Sequence, residues 1–134
     1  MPNAEEKPAR VQVTNNIMQL LDSWGTNSDQ KIILLGLPGD MRTRKLERYR
    51  QNEAFPDTEE INTHLEHIIG IADALRTSYP RNIEMCARWM QQPHKRFNNE
   101  APIKLMVNKG LAGLIQVRAQ LDCSFAWHVS GSTT

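Results

Sequence analysis

The most regular hydrophobic pattern in the chain lies in DTEEINTHLEHIIGIADALRTSY, residues 57–79. Its apolar residues recur at spacings of mostly three and four, as on one face of an α-helix. They are Ile61, Leu65, Ile68, Ile69, Ala72, Leu75 and Tyr79. Asp57 and Glu60 resemble a capping box, and Pro80 interrupts the pattern. The sequence therefore predicts one long helix, with this stripe buried in the core.

Three shorter helical patterns precede it. The first has Thr14 as its expected N-cap and ends at Gly25; its apolar face comprises Val13, Ile17, Leu20, Leu21 and Trp24. The second runs from Ser28 as its N-cap to Leu35, and a glycine- and proline-bearing turn follows it. The third runs from Met41 to about Gln51, with Asp40 as its expected cap. Helix, short helix, turn and helix are the proportions of a helix-turn-helix unit.

Three helical patterns follow the long helix. The first has a shared face of Ile83, Cys86, Ala87 and Met90, and Pro93 closes it. A polar loop then leads to a short helix that begins at Pro102 and ends at Gly110. The last helix starts near Leu111, with Leu114, Val117, Leu121 and Phe125 on one side. Because no segment alternates apolar and polar residues over the length of a strand, we predict an all-α fold.

Size and charge exclude several classes of protein. With 134 residues the chain has room for one compact domain, or for two very small ones that share a core. Its longest apolar run, residues 32–35, is too short to span a membrane. The acidic start, residues 1–8, does not resemble a secretory signal, so we expect a cytoplasmic protein. The net charge of +1 argues against a general binder of polyanions.

Residues 40–50 depart from this neutrality. They contain five basic and two acidic residues, a net charge of +3, whereas the rest of the chain carries −2. The second helix of a helix-turn-helix places such side chains against phosphates and base edges. The candidate DNA-binding residues are Arg42, Thr43, Arg44, Lys45 and Arg48. A solvated helix whose basic side chains pair with Glu47 is the alternative.

Catalytic and metal signals are few. His64 and His67 lie three residues apart on the long helix, but they form neither of the common helical zinc motifs. We interpret them as exposed or interfacial histidines, with a small metal-dependent enzyme as the alternative. Cys86 and Cys123 match no CxxC pattern and are expected to be reduced, mostly buried thiols. With no nucleotide-binding or nucleophile motif present, we expect no enzyme activity, no cofactor and no metal site.

The C-terminal half resembles the toxin-binding domain of the Xre/MbcA/ParS antitoxins. The resemblance covers residues 65–76, the Ala87–Met90 segment, the Pro93–Asn99 loop, the Ala101–Met106 helix start and the Val117–Asp122 segment. It also accounts for an Xre-like helix-turn-helix in the N-terminal half. The acidic, proline-spaced start predicts a flexible N-terminal arm at 1–12. The resemblance implies a helix-turn-helix DNA-binding domain at 13–56, a toxin-binding and dimerisation domain at 57–127, and a C-terminal tail at 128–134.

This resemblance implies a type II antitoxin. Its expected partners are a cognate RES-domain toxin, which consumes NAD, operator DNA, and a second copy of the chain in a homodimer. The implied toxin-binding residues are His94, Lys95, Arg96, Phe97, Asn98, Asn99, Arg118, Trp127 and His128. The alternative is a stand-alone homodimeric helix-turn-helix regulator that has no toxin partner.

Overall fold

A computed structural model describes the backbone of residues 6–131 and the side chains of residues 9–122. All regular elements in this part of the chain are helical, which confirms the all-α prediction. The helices are α1 (Glu6–Ser23), α2 (Ser28–Leu35), α3 (Thr43–Arg48), α4 (Glu59–Ser78), α5 (Ile83–Gln91), α6 (Pro102–Lys109) and α7 (Leu111–Gly131), and a 3₁₀ turn (Lys95–Phe97) lies between α5 and α6. Of the helices described, none combines the length and the apolarity that crossing a bilayer requires.

Helix α1 begins at Glu6, so the arm predicted for residues 1–12 is helical from that residue onward. Tertiary contacts hold this first part. Arg10 Nε donates to Phe55 O at 2.8 Å, and Arg10 Nη2 donates to Pro56 O at 2.8 Å. The prediction that Thr14 is an N-cap is wrong, because Thr14 lies inside α1 and its hydroxyl donates to Arg10 O at 2.8 Å. The same hydroxyl accepts a bond from Phe55 N at 3.0 Å.

Three other predicted caps are displaced by one or two residues. Asn27, rather than Ser28, caps α2 through a capping box, in which its side chain and that of Gln30 each accept the other's backbone amide. Thr58, rather than Asp57, caps α4 by accepting Ile61 N at 3.2 Å. Helix α3 starts after Arg42, with no side-chain cap, so Asp40 does not cap it. In each case another position near the helix start serves as the N-cap.

The buried side chains form one cluster from Ile17 in α1 to Leu121 in α7. Helix α4 packs along α7 and also contacts α1, α2 and α5, so it lies at the centre of the fold. Its buried side includes Ile68 and Ile71, which are both fully buried. The N-terminal and C-terminal parts of the chain therefore share a single core.

Helices α6 and α7 are in close contact at Gly113. A Cβ atom at this position would lie 2.6 Å from Leu105 O and 2.7 Å from Met106 Cα. Only a residue without a side chain allows this backbone approach. Helix α6 is thereby held against the start of α7, and the loop that precedes α6 is fixed to the core.

Candidate functional site

The loop between α5 and α6 is closed by its own backbone hydrogen bonds. His94 N donates to Glu100 O at 3.3 Å, and the amides of Phe97 and Asn99 donate to His94 O at 3.0 and 2.9 Å. His94 and Glu100 form an isolated β-bridge at its neck. A loop bonded in this way has lost much of its conformational freedom before it meets a partner. It presents a preformed shape.

The rings of Trp89, His94 and Phe97 pack against one another and support this loop. Phe97 is 2 % exposed, and its ring centroid lies 6.2 Å from that of the partly buried Trp89 in an edge-on arrangement. The His94 ring lies 4.9 Å from Trp89, and His94 Nε2 bonds to Trp89 O at 2.9 Å. The structure places Phe97 in the core, so this residue holds the loop in position from within and offers no exposed ring to a partner.

The tip of the loop is polar and exposed. Lys95, Arg96, Asn98 and Asn99 all reach solvent. Asn98 and Asn99 have φ angles of 56° and 64°, the left-handed region that asparagine tolerates better than most residues. Two successive left-handed residues turn the chain sharply, and both amide side chains are exposed.

Arg118, the predicted contact residue in α7, ties α7 to α4. Its guanidinium lies over Gly70, where a Cβ atom would collide with it. Arg118 Nη1 donates to His67 Nδ1 at 3.3 Å and lies 3.9 Å from Glu66 Oε1. Arg118 Nε lies 3.8 Å from Asp122 Oδ2. Arg118 therefore joins two helices, and its hydrogen bonds and ion pairs with described residues are all to α4 and α7.

The two histidines of α4 have separate environments. His64 is 6 % exposed, its Nδ1 donates to Leu34 O at 2.9 Å, and its ring packs against Gly36. His67 is bound by Arg118. The interpretation of His64 as exposed or interfacial is wrong, because it is a core residue that joins α4 to α2. Within the described side chains, no group of three metal-ligating residues occurs.

The predicted DNA-binding residues form an exposed basic surface on and beside α3. Arg42, Thr43, Arg44, Lys45 and Arg48 are all exposed. Glu47 was the expected partner of these side chains. Its Oε2 instead forms an ion pair with Arg50 Nε at 2.9 Å. In the described part of the chain, the other four basic residues of this segment form no ion pair. The segment therefore keeps a strong positive charge at its surface.

The sequence did not predict an ion-pair network that connects α1, α2 and the residues after α3. Lys31 of α2, 3 % exposed, donates to Thr26 O at 2.6 Å and lies 3.0 Å from Asp22 Oδ1 of α1. Both carboxylate oxygens of Asp22 also accept hydrogen bonds from the guanidinium of Arg50. Arg50 above all, and Lys31, hold the pKa of Asp22 below its usual range against the opposing effect of burial. The sequence held one indication of this buried ion pair: Lys31 lies at the start of the apolar run KIILL.

An apolar groove of about 470 Å³ lies between α1, α4 and the start of α5. Val13, Ile69 and Ile83, which the sequence assigned to apolar helix faces, line it with exposures of 41 %, 40 % and 78 %. The prediction that Ile69 is buried with the rest of the α4 stripe is wrong, because this side chain borders the groove. Cys86 also lines the groove, and burial raises the pKa of its thiol.

Helix α7 continues to Gly131, so its backbone includes Trp127, His128 and the first residues of the predicted tail. The side chains of Cys123, Trp127 and His128 lie outside the described residues, as do residues 132–134. The candidate surface that the structure describes therefore consists of the loop and the ends of the helices that flank it.

The comparisons with known proteins bear on this same region. Residues 81–123 match the family described as antitoxin Xre/MbcA/ParS C-terminal toxin-binding domain. The match begins just before α5, includes the loop and α6, and ends within α7. Searches among curated proteins and among solved structures found no match. The family match confirms the resemblance within residues 81–123, which correspond to a toxin-binding domain of the Xre/MbcA/ParS antitoxins.

Proposed function

We propose that this chain is the antitoxin of a type II pair and that it binds a RES-domain, NAD-consuming toxin across the entrance of its active site. The observation that carries the proposal is the closed, exposed loop inside the matched domain. A preformed loop binds with a small entropic cost. The Asn98 and Asn99 amides supply donors and acceptors for a cleft that normally holds a polar dinucleotide.

Blocking a cleft requires no chemistry from the blocking protein. The proposed role is therefore that of a cytoplasmic regulator that acts by binding alone, with neither catalytic residues nor a cofactor of its own. Trp127 and His128, in the C-terminal part of the chain, are proposed to enter the cleft beside the loop.

Co-expression with the protein encoded by the neighbouring gene tests this function. We expect that protein to stop growth and deplete NAD when produced alone, and the antitoxin chain to restore both. Changing Asn98 and Asn99 together to Gly keeps the left-handed backbone accessible and removes the amides. Removing residues 127–134 tests the C-terminal contribution, and both variants should inhibit less well. A neighbouring protein that is harmless, or that does not bind, would overturn the proposal.

A second part of the proposal is binding of operator DNA, and thereby autoregulation, through α3. The exposed and unpaired Arg44 and Arg48 support it, because such cations gain most from phosphate contacts. A gel shift with DNA from upstream of the gene should show salt-dependent binding that is lost when both arginines become Ala. If DNA binds but no toxin does, the stand-alone regulator is the correct assignment.

A third part is a homodimer formed through the apolar groove. In a two-fold interface a patch faces its own copy, so a charged patch would repel itself. The groove lining contains one charged side chain, Arg76, which already pairs with Asp73 at 2.9 Å. Ile83→Lys should convert a dimer to a monomer in light scattering, whereas Ile115→Lys, on exposed α7 surface, should not. A monomeric wild-type chain would contradict this part.

A further inference from the structure

The basic region around α3 is not the only charged region of the sequence. Residues 81–109 contain six basic and two acidic residues, a net charge of +4. Residues 57–79, which include α4, contain five acidic residues and one basic residue, a net charge of −4. A chain of net charge +1 thus contains a second basic region that corresponds to α5, the loop and α6.

The basic side chains of this region lie on the loop and on the two helices that flank it. Lys95 lies on the loop itself, and Arg88 precedes Trp89, whose carbonyl bonds to His94. On the other side, Asn108 of α6 donates to Glu100 Oε1 at 3.0 Å and joins α6 to the end of the loop. Lys104 and Lys109 occupy the exposed part of α6 next to this contact. Arg88, Lys95, Lys104 and Lys109 are all exposed.

The acidic residues of the neighbouring helix do not neutralise this basic surface. Each of three α4-region carboxylates pairs with a different cation, in the pairs Asp57–Arg10, Glu66–Arg118 and Asp73–Arg76. Among the described side chains, no ion pair joins Arg88, Lys95, Lys104 or Lys109 to a carboxylate. Exposed cations without ion-pair partners create a positive potential, and an external negative surface is attracted to it.

We infer that the loop docks into an acidic protein surface, so that the toxin carries carboxylates around the entrance the loop covers. The inference rests on the proposed function and adds the chemistry of the partner. A protein surface fits better than nucleic acid, because the loop that carries Lys95 also presents an exposed, uncharged turn of two asparagines. A phosphate backbone requires charge along a continuous track, whereas a protein cleft accepts a neutral projection with a charged rim.

Charge complementarity of this kind acts mainly on the rate of association. The attraction is screened over a Debye length of about 8 Å at physiological salt. We therefore expect the association rate between antitoxin and toxin to fall steeply as NaCl is raised, and the dissociation rate to change little.

The test compares two variants with the same change in net charge. Lys95→Gln with Lys104→Gln removes two positive charges beside the loop. Gln19→Glu with Gln51→Glu adds two negative charges on exposed residues that lie outside the region 81–109. Association of each full chain with the purified neighbouring toxin is measured by stopped flow at low and high NaCl, after melting curves have shown that both variants are folded.

We expect the loop variant to associate about tenfold more slowly at low salt, with a weaker salt dependence, and the control to stay close to wild type. Equal slowing by both variants, or none by either, would overturn the inference. A loop variant that binds toxin normally but loses affinity for duplex DNA would assign the surface to nucleic acid instead. Failure of the wild-type chain to bind toxin at all would overturn the proposed function, which is a different outcome.

Discussion

The ammonium of Lys31, almost completely buried, lies 3.0 Å from the carboxylate of Asp22. This pair joins α2 to α1, and Arg50 on the same carboxylate extends it to the end of α3. The position of α3 and of its exposed basic residues therefore depends on a single acidic side chain, Asp22.

Replacing Asp22 with Asn should destabilise the fold by about 1–3 kcal/mol, because the buried Lys31 loses its charged partner. Asp40→Asn is the control, since Asp40 is exposed and forms no ion pair in the described structure. Urea denaturation at pH 7 measures both. A loss in Asp22→Asn no larger than in the control would contradict a structural role for the pair.

The same residue predicts a pH dependence. Because the pKa of Asp22 is lowered in the folded chain, its contribution to stability is complete above the pKa of the unfolded state, about 3.9. That contribution disappears as the pH falls through the lowered pKa of the folded state. The difference in unfolding free energy between wild type and Asp22→Asn should therefore shrink in acid and be constant near neutrality. A difference that grows in acid would have the wrong sign.

Gly113→Ala should destabilise the chain by about 1–3 kcal/mol, because the new methyl group overlaps the backbone at Leu105 and Met106. Gly39→Ala is a matched control, since its Cβ would meet no atom within 4 Å and its φ is not positive. In thermal melts we expect the control to keep or slightly raise the melting temperature. Similar losses in both variants would argue against the close helix contact.

Thr14→Val should cost about 1–3 kcal/mol, because it leaves the buried amide of Phe55 without an acceptor. Thr77→Val tests the same substitution at an exposed threonine whose hydroxyl also bonds to the carbonyl four residues earlier. The control should change stability by less than about 0.5 kcal/mol. Amide exchange at Phe55 gives a second readout, and it should accelerate only in Thr14→Val.

Phe97→Ala should lower stability by about 3–5 kcal/mol, because it empties a buried site below the loop. The loss of support should also loosen the β-bridge, so the His94 amide should exchange faster than in wild type. Denaturant titration and hydrogen exchange measure the two effects. A variant that loses stability but keeps slow exchange at His94 would show that the loop holds its shape without the ring.

The long central helix was predictable because its apolar stripe is regular over five turns. The adjacent Ile68 and Ile69 both fit that stripe, and only tertiary packing decides that Ile68 and Ile71 are buried while Ile69 borders the groove. The start of α1 was missed because it depends on contacts of Arg10 with residues 45 and 46 positions further along the chain.

The position of the candidate loop could be predicted from its polar composition and its flanking prolines. Its closure could not, since that depends on the left-handed angles of Asn98 and Asn99 and on a bridge between His94 and Glu100. The Lys31–Asp22 pair was hidden for the same reason: a buried lysine is interpretable only when its partner on another helix is known.

The single core has a consequence for the lifetime of the chain in a cell. Unfolding disrupts the basic surface of α3 and the loop together, because their supporting side chains belong to one cluster. A partner that binds at either place lowers the unfolded population of the whole chain in proportion to its concentration. Degradation that proceeds through the unfolded form is then slowed for the whole chain. A partner bound at α3 therefore also extends the half-life of the loop, and a partner bound at the loop extends that of α3.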